Sequence, residues 1–183
     1  EDFTCPLQEW YNELVSTIEV NHTNPIIIND DGTANMFPVW APDSNVFAYL
    51  SNKNNDYFGQ TDLFIHNLDN DIEQKISGSV FSAPTWNPNG NIIYYSKKPK
   101  FPDKNGSRYY DIYEYDISAK KEKRLTFGAR SFSPVFIESD SSIAFLATND
   151  GSQDVYIYNI GQDKITQITD IESRPILSSL QYT

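Results

Sequence analysis

Histidine and cysteine, two residue types that commonly carry catalysis, are scarce in this chain. His22 and His66 are the only imidazoles that could act as a general base or a metal ligand. No serine lies in a G-x-S-x-G turn among the 8 glycines, and neither G-x-x-x-x-G-K-[ST] nor G-x-G-x-x-G occurs. Cys5 is the only cysteine, which excludes an internal disulfide and a cysteine-based zinc site. The sequence therefore predicts no catalytic residue, no bound metal and no cofactor.

Acidic residues are plentiful, but their spacing is typical of turns. Residues 67–72, Asn-Leu-Asp-Asn-Asp-Ile, resemble the start of a calcium-binding loop. However, Ile72 stands where such a loop needs glycine, and Gly78 stands where it needs a bidentate glutamate. Because Asp and Asn are ordinary turn formers, we interpret this stretch as a hairpin turn.

The charge balance narrows the range of partners. The formal net charge is −11 and the sequence pI is about 4.5, so a phosphate backbone or an anionic membrane surface would be repelled. No apolar run approaches the ~20 residues that a spanning helix needs. The sequence therefore predicts neither nucleic-acid binding nor membrane insertion. Since the chain starts at Glu1 without methionine, we expect a removed leader or a piece of a longer protein.

Three segments of the chain are variants of one phrase. PVWAPDSNVFAYLSN begins at Pro38, PTWNPNGNIIYYSKK at Pro84 and PVFIESDSSIAFLAT at Pro134. Each is followed by a second phrase, TDLFIHNLD, YDIYEYDIS or QDVYIYNIG, and then by EQKIS, KEKRLT or KITQIT. Self-similarity at a period of roughly 40 to 50 residues indicates a repeat architecture.

One repeat has the pattern of four short strands. In the second unit, residues 83–86 end in the turn Asn-Pro-Asn-Gly, and residues 91–96 form an apolar run expected of a strand covered on both faces. Residues 111–117 alternate apolar and polar, and residues 121–126 supply a more polar strand. Four antiparallel strands of graded polarity describe a propeller blade with the polar strand outermost.

Two positions recur within the repeats. An aspartate opens the third strand of each, and we expect it to accept backbone N–H bonds there; these residues are Asp62, Asp111 and Asp154. His66 takes the place of Tyr115 and Tyr158 in the other copies, so we interpret it as a packed or edge-exposed aromatic residue.

The repeats resemble those of a known family. Trp40-Ala41-Pro42-Asp43 and Trp86-Asn87-Pro88-Asn89-Gly90, the three strand-opening aspartates, and the closing Thr126 and Thr169 match TolB-type WD-like β-propeller repeats. The resemblance covers about residues 36–183. That family includes periplasmic Tol-system proteins, propeller domains of prolyl-oligopeptidase-like and tricorn-like peptidases, and outer-membrane-associated scaffold proteins. The resemblance therefore implies an all-β propeller fold and not one activity.

The expected organisation is an N-terminal segment, residues 1–24, followed by propeller repeats over residues 25–183. Trp10, Leu14, Val15 and Ile18 lie on one face of a short helix, with Thr4 as its N-cap. The blades are predicted at about 36–77, 82–126 and 132–169, with partial blades at both ends.

Two interpretations of the ends stay open. Residues 25–29 resemble a closing strand, and residues from 174, with Ile176, Leu177 and Leu180, resemble the opening strand of a fourth blade. The chain is then either a segment of a larger propeller or a small ring in which the strand near Ile27 completes the blade begun at Ile176. Open sheet edges would need further blades or another chain to cover them.

The loops between second and third strands vary most, and they share a face with the blade-to-blade loops. Exposed aromatic and arginine residues are typical interface anchors. The predicted partner-binding residues on this face are Tyr57, Phe58, Phe101, Tyr109, Arg130 and Arg174. Phe81 and Phe132 also lie on the blade-to-blade loops near the mouth of the central channel, where packing between blades explains them at least as well.

The function predicted from these features is a non-enzymatic binding or scaffolding module of the bacterial cell envelope, periplasmic or extracellular. It would bind a protein or a glycan through the loop face. The alternative is the propeller domain of a prolyl-oligopeptidase-like or tricorn-like peptidase whose catalytic domain is absent from this chain. A polysaccharide-lyase propeller would need a His-rich metal site, which this sequence lacks.

Overall fold

The computed structural model describes residues 4–18, 24–103, 105–138, 141–173 and 175–181. These residues belong to two compact units, one within residues 1–30 and one within residues 31–183, and each is described by itself. The boundary predicted between residues 24 and 25 stays a prediction.

The first unit contains the predicted helix. Helix α1 spans Thr4–Ser16, so Thr4, the expected N-cap, is the first residue of the helix itself. The hydroxyls of Ser16 and Thr17 donate to the carbonyls of Glu13 and Leu14, each at 2.7 Å. Such hydrogen bonds from side chain to backbone compete with the backbone hydrogen bonds of the helix. They account for the end of the helix at Ser16, although the apolar face predicted from the sequence continues to Ile18.

The described part of the second unit contains three antiparallel sheets of four strands, which follow each other in chain order. Blade 1 comprises β1 (Asn35–Trp40), β2 (Val46–Ser51), β3 (Asp62–Asn67) and β4 (Ile72–Ser77). Blade 2 comprises β5 (Thr85–Trp86), β6 (Ile92–Lys97), β7 (Asp111–Asp116) and β8 (Lys121–Arg124). Blade 3 comprises β9 (Ser131–Ile137), β10 (Ser142–Asn149), β11 (Ser152–Asn159) and β12 (Lys164–Gln167). The prediction of three four-stranded blades is confirmed.

Polarity changes from the second strand of each blade to the fourth. Nearly all of β2 and β6 is buried, as their continuous apolar runs predicted, whereas β4, β8 and β12 are mostly exposed at the sheet edge. An exposed edge of polar and charged side chains discourages pairing with another sheet. The increase in polarity from the second to the fourth strand of each repeat therefore indicates the strand order within each blade.

Side chains from neighbouring blades form the core. One cluster joins blades 1 and 2 through residues such as Leu50, Leu63 and Tyr95, and Trp86 donates its indole N–H to the carbonyl of Val39 at 3.2 Å. A second cluster, which includes Tyr94, Ile112, Ile143 and Phe145, joins blades 2 and 3. Burial of these aromatic and aliphatic side chains holds consecutive blades face to face.

The first strands of blades 1 and 3 carry a β-bulge. In blade 1 the register between β1 and β2 shifts between Met36 and Val39. In blade 3 the register between β9 and β10 shifts between Ala144 and Leu146 of β10. Phe37 and Ser133, each followed by proline, have φ values of 55° and 51°. Non-glycine residues rarely adopt this left-handed conformation, which costs about 1–3 kcal/mol. The bulges bend the inner strands where they approach the loop face.

The two end segments lie outside the three described sheets, and the partial blades to which they were assigned stay a prediction. Residues 25–29 and 176–180, predicted as strands of partial blades, belong to no sheet among the described residues. A strand requires a neighbouring backbone for its hydrogen bonds, and each of these segments is a single strand's length. The segment at the C-terminal side instead contacts blade 3: Leu177 N donates to Gln153 Oε1 at 2.6 Å.

Candidate functional site

A cavity of about 1060 Å³ is lined by residues from all three blades. Three kinds of segment contribute: the residues around the start of the first strands, the loops between second and third strands, and residues 177–179. Its aromatic and basic lining residues are Phe37, Phe58, Phe81, Tyr109, Tyr110, Phe132, Lys98, Arg108 and Arg130. We call this the loop-face cavity.

The inner wall of the loop-face cavity is set by the first strands and the residues that precede them. The two bulges bring Met36, Phe37, Phe132 and Ser133 to the lining. Ser133 N donates to Ser82 Oγ at 2.8 Å, which ties blade 3 to the segment before β5. The bulged first strands therefore form the rigid side of the cavity.

The loop from blade 2 to blade 3 is fixed by a buried aspartate. Asp111 accepts N–H bonds from Gly128 and Ala129, both at 3.0 Å, and pairs with the guanidinium of Arg124. Burial alone would lower the pKa of Arg124, but its hydrogen bonds to Asp103 and Asp111 outweigh burial and raise this pKa above the ordinary range. A fully buried carboxylate with this many donors is a structural anchor.

The other two blades repeat this arrangement. Asp62 accepts an N–H bond from Ser79 at 3.0 Å, and Asp154 accepts one from Ile171 at 2.9 Å. Burial would raise the pKa of Asp62, but hydrogen bonds, first from Lys75, outweigh it and lower this pKa. The prediction that the three aspartates accept backbone N–H bonds is confirmed, so these carboxylates hold loops and belong to no shared acidic site.

Arg130 is presented by the loop that Asp111 holds. Its backbone is in the left-handed region, with φ of 52°. The guanidinium lies 4.2 Å from the centre of the Tyr109 ring and donates to the Tyr109 hydroxyl at 3.0 Å. Hydrogen bonds from Ser107 and then Arg130 lower the pKa of Tyr109. The pair orients a cation beside the cavity.

A second aromatic group lies beside the first. The Phe81 and Tyr110 rings are 4.9 Å apart, and the Phe81 and Phe132 rings are 6.5 Å apart in an edge-to-face arrangement. Lys98 Nζ lies 5.0 Å from the centre of the Tyr110 ring. Phe81 packs between blades and is still more than half exposed, so it serves the blade interface and the cavity surface together.

Three of the six predicted binding residues meet at this cavity. Phe58, Tyr109 and Arg130 all line it. Tyr57 lines an adjoining hollow of about 300 Å³, and Phe101 is exposed on the same long loop as Lys98. Arg174 lies outside the described residues. Whether any of the six contacts a partner stays a prediction.

Several lining residues were not predicted. Lys98, Arg108 and Tyr110 lie in the same loop as Tyr109, and the basic and aromatic composition of residues 97–110 was the available signal. Met36 and Phe37 gave no such signal, because a single sequence does not show that their backbone bulges. Residues 177–179 had been predicted as part of a strand.

His66 packs as the other copies of the repeat suggested. Its buried ring lies 5.5 Å from the ring of Phe47, which confirms a packed aromatic role. Its Nε2 is 3.2 Å from a carboxylate oxygen of Asp71. Close by, the buried Lys53 pairs with Glu73 and its Nζ lies 4.5 Å from the centre of the Phe64 ring.

The acidic stretch at residues 67–72 forms the expected turn. Asp69 N donates to Asn67 Oδ1 at 2.8 Å, and Ile72 N donates to Asn70 Oδ1 at 3.1 Å. These are the local bonds that Asn supplies in turns.

Within the part of the chain that the structure describes, no group of three or more His, Cys, Asp or Glu side chains could hold a metal ion. Over those same residues, no helix is long and apolar enough to cross a membrane.

Comparison with known proteins supports the family resemblance. Over 106 residues, 56% of this chain, the sequence is 36% identical to the Tol-Pal system protein TolB of Ruthia magnifica subsp. Calyptogena magnifica. The repeats of this chain are similar to those of TolB proteins. The matched segment covers 22% of that protein and 21% of a second TolB, so this chain spans about a fifth of the length of the curated relatives it matches. No protein-family profile matches the chain.

Solved structures agree with a β-propeller fold. TolB from Acinetobacter baumannii aligns with a TM-score of 0.54 at 21% identity, over 75% of this chain and 32% of that one. The β-propeller domain of the Trilobed protease from Pyrococcus furiosus, which has an open velcro topology, aligns with a TM-score of 0.58 at 16% identity, over 75% and 43%. At these identities the likeness shows the fold alone.

Proposed function

We propose that this chain is part of a non-catalytic β-propeller of the bacterial cell envelope, located in the periplasm, that binds a protein partner at the loop-face cavity. The observation that carries the proposal is the cavity itself: rings and cations from three blades converge there while they stay accessible. Aromatic and arginine side chains in a concave site are typical anchors of protein interfaces.

The relatives supply the cellular setting of the proposal. The curated proteins that share these repeats are named for the Tol-Pal system. The chemistry of the chain supports a role without catalysis, because among the described residues the buried carboxylates of the repeats already bind backbone N–H groups and the one described histidine is packed against Phe47.

A peptidase propeller is the second candidate. The similarity to the propeller domain of the Trilobed protease favours it, since that domain belongs to a proteolytic enzyme. In that case the loop-face cavity would face a catalytic domain carried elsewhere. Gene context separates the two functions: a hydrolase domain encoded downstream in the same chain would support the peptidase.

Capture of envelope proteins on the immobilised chain tests the proposal. Phe58→Ala removes a ring of the cavity, and Phe127→Ala is a matched control, since the two rings are 77% and 74% exposed and Phe127 does not line the cavity. An interface anchor contributes more than about 1 kcal/mol, so Phe58→Ala should reduce capture at least about fivefold and the control should not. Equal capture by both variants would contradict the proposed surface.

A further inference from the structure

The loop-face cavity is basic although the protein is strongly acidic. The chain carries 25 Asp and Glu against 14 Lys and Arg. Lys98, Arg108 and Arg130 nevertheless line the cavity, and its described lining contains no Asp or Glu. A single-signed group of charges in a concave surface concentrates its field on whatever enters.

These three cations differ from several others in the propeller, which form ion pairs. Lys75 pairs with Asp62, Lys97 with Glu122, and Arg124 with two aspartates. No described carboxylate lies within ion-pair distance of the three cavity cations. Their charge is therefore available to an anionic ligand.

Aromatic rings hold two of these cations in place, and a backbone carbonyl holds the third. Arg130 lies over Tyr109, and Lys98 lies over Tyr110. Arg108 donates its Nε–H to the carbonyl of Pro99 at 2.9 Å, which leaves its terminal nitrogens free to point elsewhere. A guanidinium held in this way loses less freedom when it binds a carboxylate through two parallel hydrogen bonds.

The rest of the lining suits apolar side chains better than sugar hydroxyls. Several of the polar groups in the wall are already engaged. Thr61 donates to the carbonyl of Val80 at 2.6 Å, Ser82 Oγ bonds Ser96, and Gln153 accepts the N–H of Leu177. The remaining surface includes Met36, Phe37, Phe81, Phe132 and Leu177. Fewer hydrogen-bonding positions therefore remain on Thr61, Ser82 and Gln153 for the hydroxyls of a glycan.

We infer that the loop-face cavity selects an acidic segment of a protein partner, in which Asp or Glu residues flank apolar side chains. The carboxylates bind Lys98, Arg108 and Arg130, and the apolar side chains fill the aromatic wall. The inference rests on the proposed function and adds the chemistry of the partner. Because the net charge of the chain repels an acidic protein at long range, the cavity cations act at contact and give specificity.

Selection from a random dodecapeptide library displayed on phage tests this inference on the immobilised full chain. Peptides selected on the wild type should be enriched in Asp and Glu next to Leu, Ile or Phe. The selected peptides, made synthetically, should bind at least about tenfold more weakly to the Lys98→Gln, Arg108→Gln, Arg130→Gln triple variant, because charge-assisted hydrogen bonds are lost.

A matched variant carries Lys120→Gln, Lys121→Gln and Lys164→Gln, which removes the same number of charges from exposed positions outside the cavity. It should bind the peptides within about twofold of the wild type, since distant surface charges are screened. Circular dichroism checks that both triple variants fold. If the cavity triple variant does not fold, single variants such as Arg130→Gln take its place in the binding measurement.

The outcomes separate this inference from the proposed function. The selected peptides could be neutral or basic and bind the Phe58→Ala variant more weakly than the wild type. That result would support protein binding at the cavity and overturn the inferred preference for acidic segments. No enrichment also overturns the inference, and the capture experiment still decides the proposed function. A third outcome is that no acidic peptide is selected, while the wild type binds polygalacturonate or phosphatidylglycerol vesicles and the triple variant does not. That outcome would assign the three cations to a glycan or a lipid and would also overturn the inference.

Discussion

Trp40 and Trp86 hold the same place in consecutive repeats, and the structure gives them different surroundings. Trp86 is 7% exposed and bonds the carbonyl of Val39 in blade 1, whereas Trp40 is 57% exposed and lies 5.3 Å from the ring of Phe47. The difference follows from position, because Trp86 faces a preceding blade within the described chain. A repeat motif therefore predicts the residue type and not its burial.

Truncation of the two tryptophans should separate these environments. Trp86→Ala leaves a cavity between blades 1 and 2 and should lower the free energy of unfolding by roughly 3–5 kcal/mol. Trp40→Ala should cost clearly less, since most of that ring is in solvent in the wild type. Urea unfolding followed by circular dichroism measures both, and equal losses would contradict the packing described for Trp86.

Glu122 links blades 1 and 2 and should make stability depend on pH. It accepts hydrogen bonds from Lys97 and Ser77 at 2.8 Å and from Tyr95. Burial alone would raise the pKa of Glu122, but these hydrogen bonds, first that of Lys97, outweigh it and lower the pKa. A lowered folded-state pKa stabilises the protein above the unfolded value, about 4.3, and this contribution is lost as the pH falls through the folded value.

Glu122→Gln removes the titrating group and should flatten that dependence. The free energy of unfolding of the wild type should fall between about pH 5 and about pH 3, and the variant should show a shallower fall over the same range. Denaturant titrations at a series of pH values measure the two slopes. Parallel curves would show that Glu122 does not carry this part of the acid sensitivity.

At the scale of elements, the short repeated phrases predicted most strands because local pattern decides them. The alternating run after Asp111 and the apolar run after Asn91 became β7 and β6. The single segments at 25–29 and 176–180 have strand-like composition and belong to no described sheet. Strand propensity needs a neighbouring strand to be realised, so pairing within the repeats was predictable and pairing of the end segments was not.

Amide hydrogen exchange should follow this order of elements. The central strands β6 and β7 are buried and paired on both sides, so their amides should be among the slowest to exchange. The edge strand β12 is exposed along its length and pairs with β11 alone, so it should exchange fastest of the twelve named strands. Faster exchange in β6 than in β12 would contradict the blade order.

The candidate site was only partly predictable, because it exists only when three blades are stacked. Exposed aromatics and arginines on variable loops pointed to Phe58, Tyr109 and Arg130, and the structure brings these three to one cavity. Phe101 has the same composition signal and lies outside that lining. Lys98 and Phe37 meet these residues through a loop path and a backbone bulge that local pattern does not specify.

At the scale of the whole molecule, the described blades leave the size of the ring open to experiment. The alternatives of a larger propeller and a small ring both stay predictions. The loop-face cavity is lined mainly by residues of the three consecutive blades that the structure describes. The central claim, that a protein partner binds at this cavity, can therefore be tested without knowing the number of blades.

Site-specific photo-crosslinking in living cells tests that claim most directly. A benzophenone amino acid is introduced at position 58, in the cavity lining, or at position 127, which is equally exposed and lies outside that lining. Our account predicts an ultraviolet-dependent adduct with an envelope protein from position 58 and none from position 127. Adducts from position 127 but not from position 58 would contradict it.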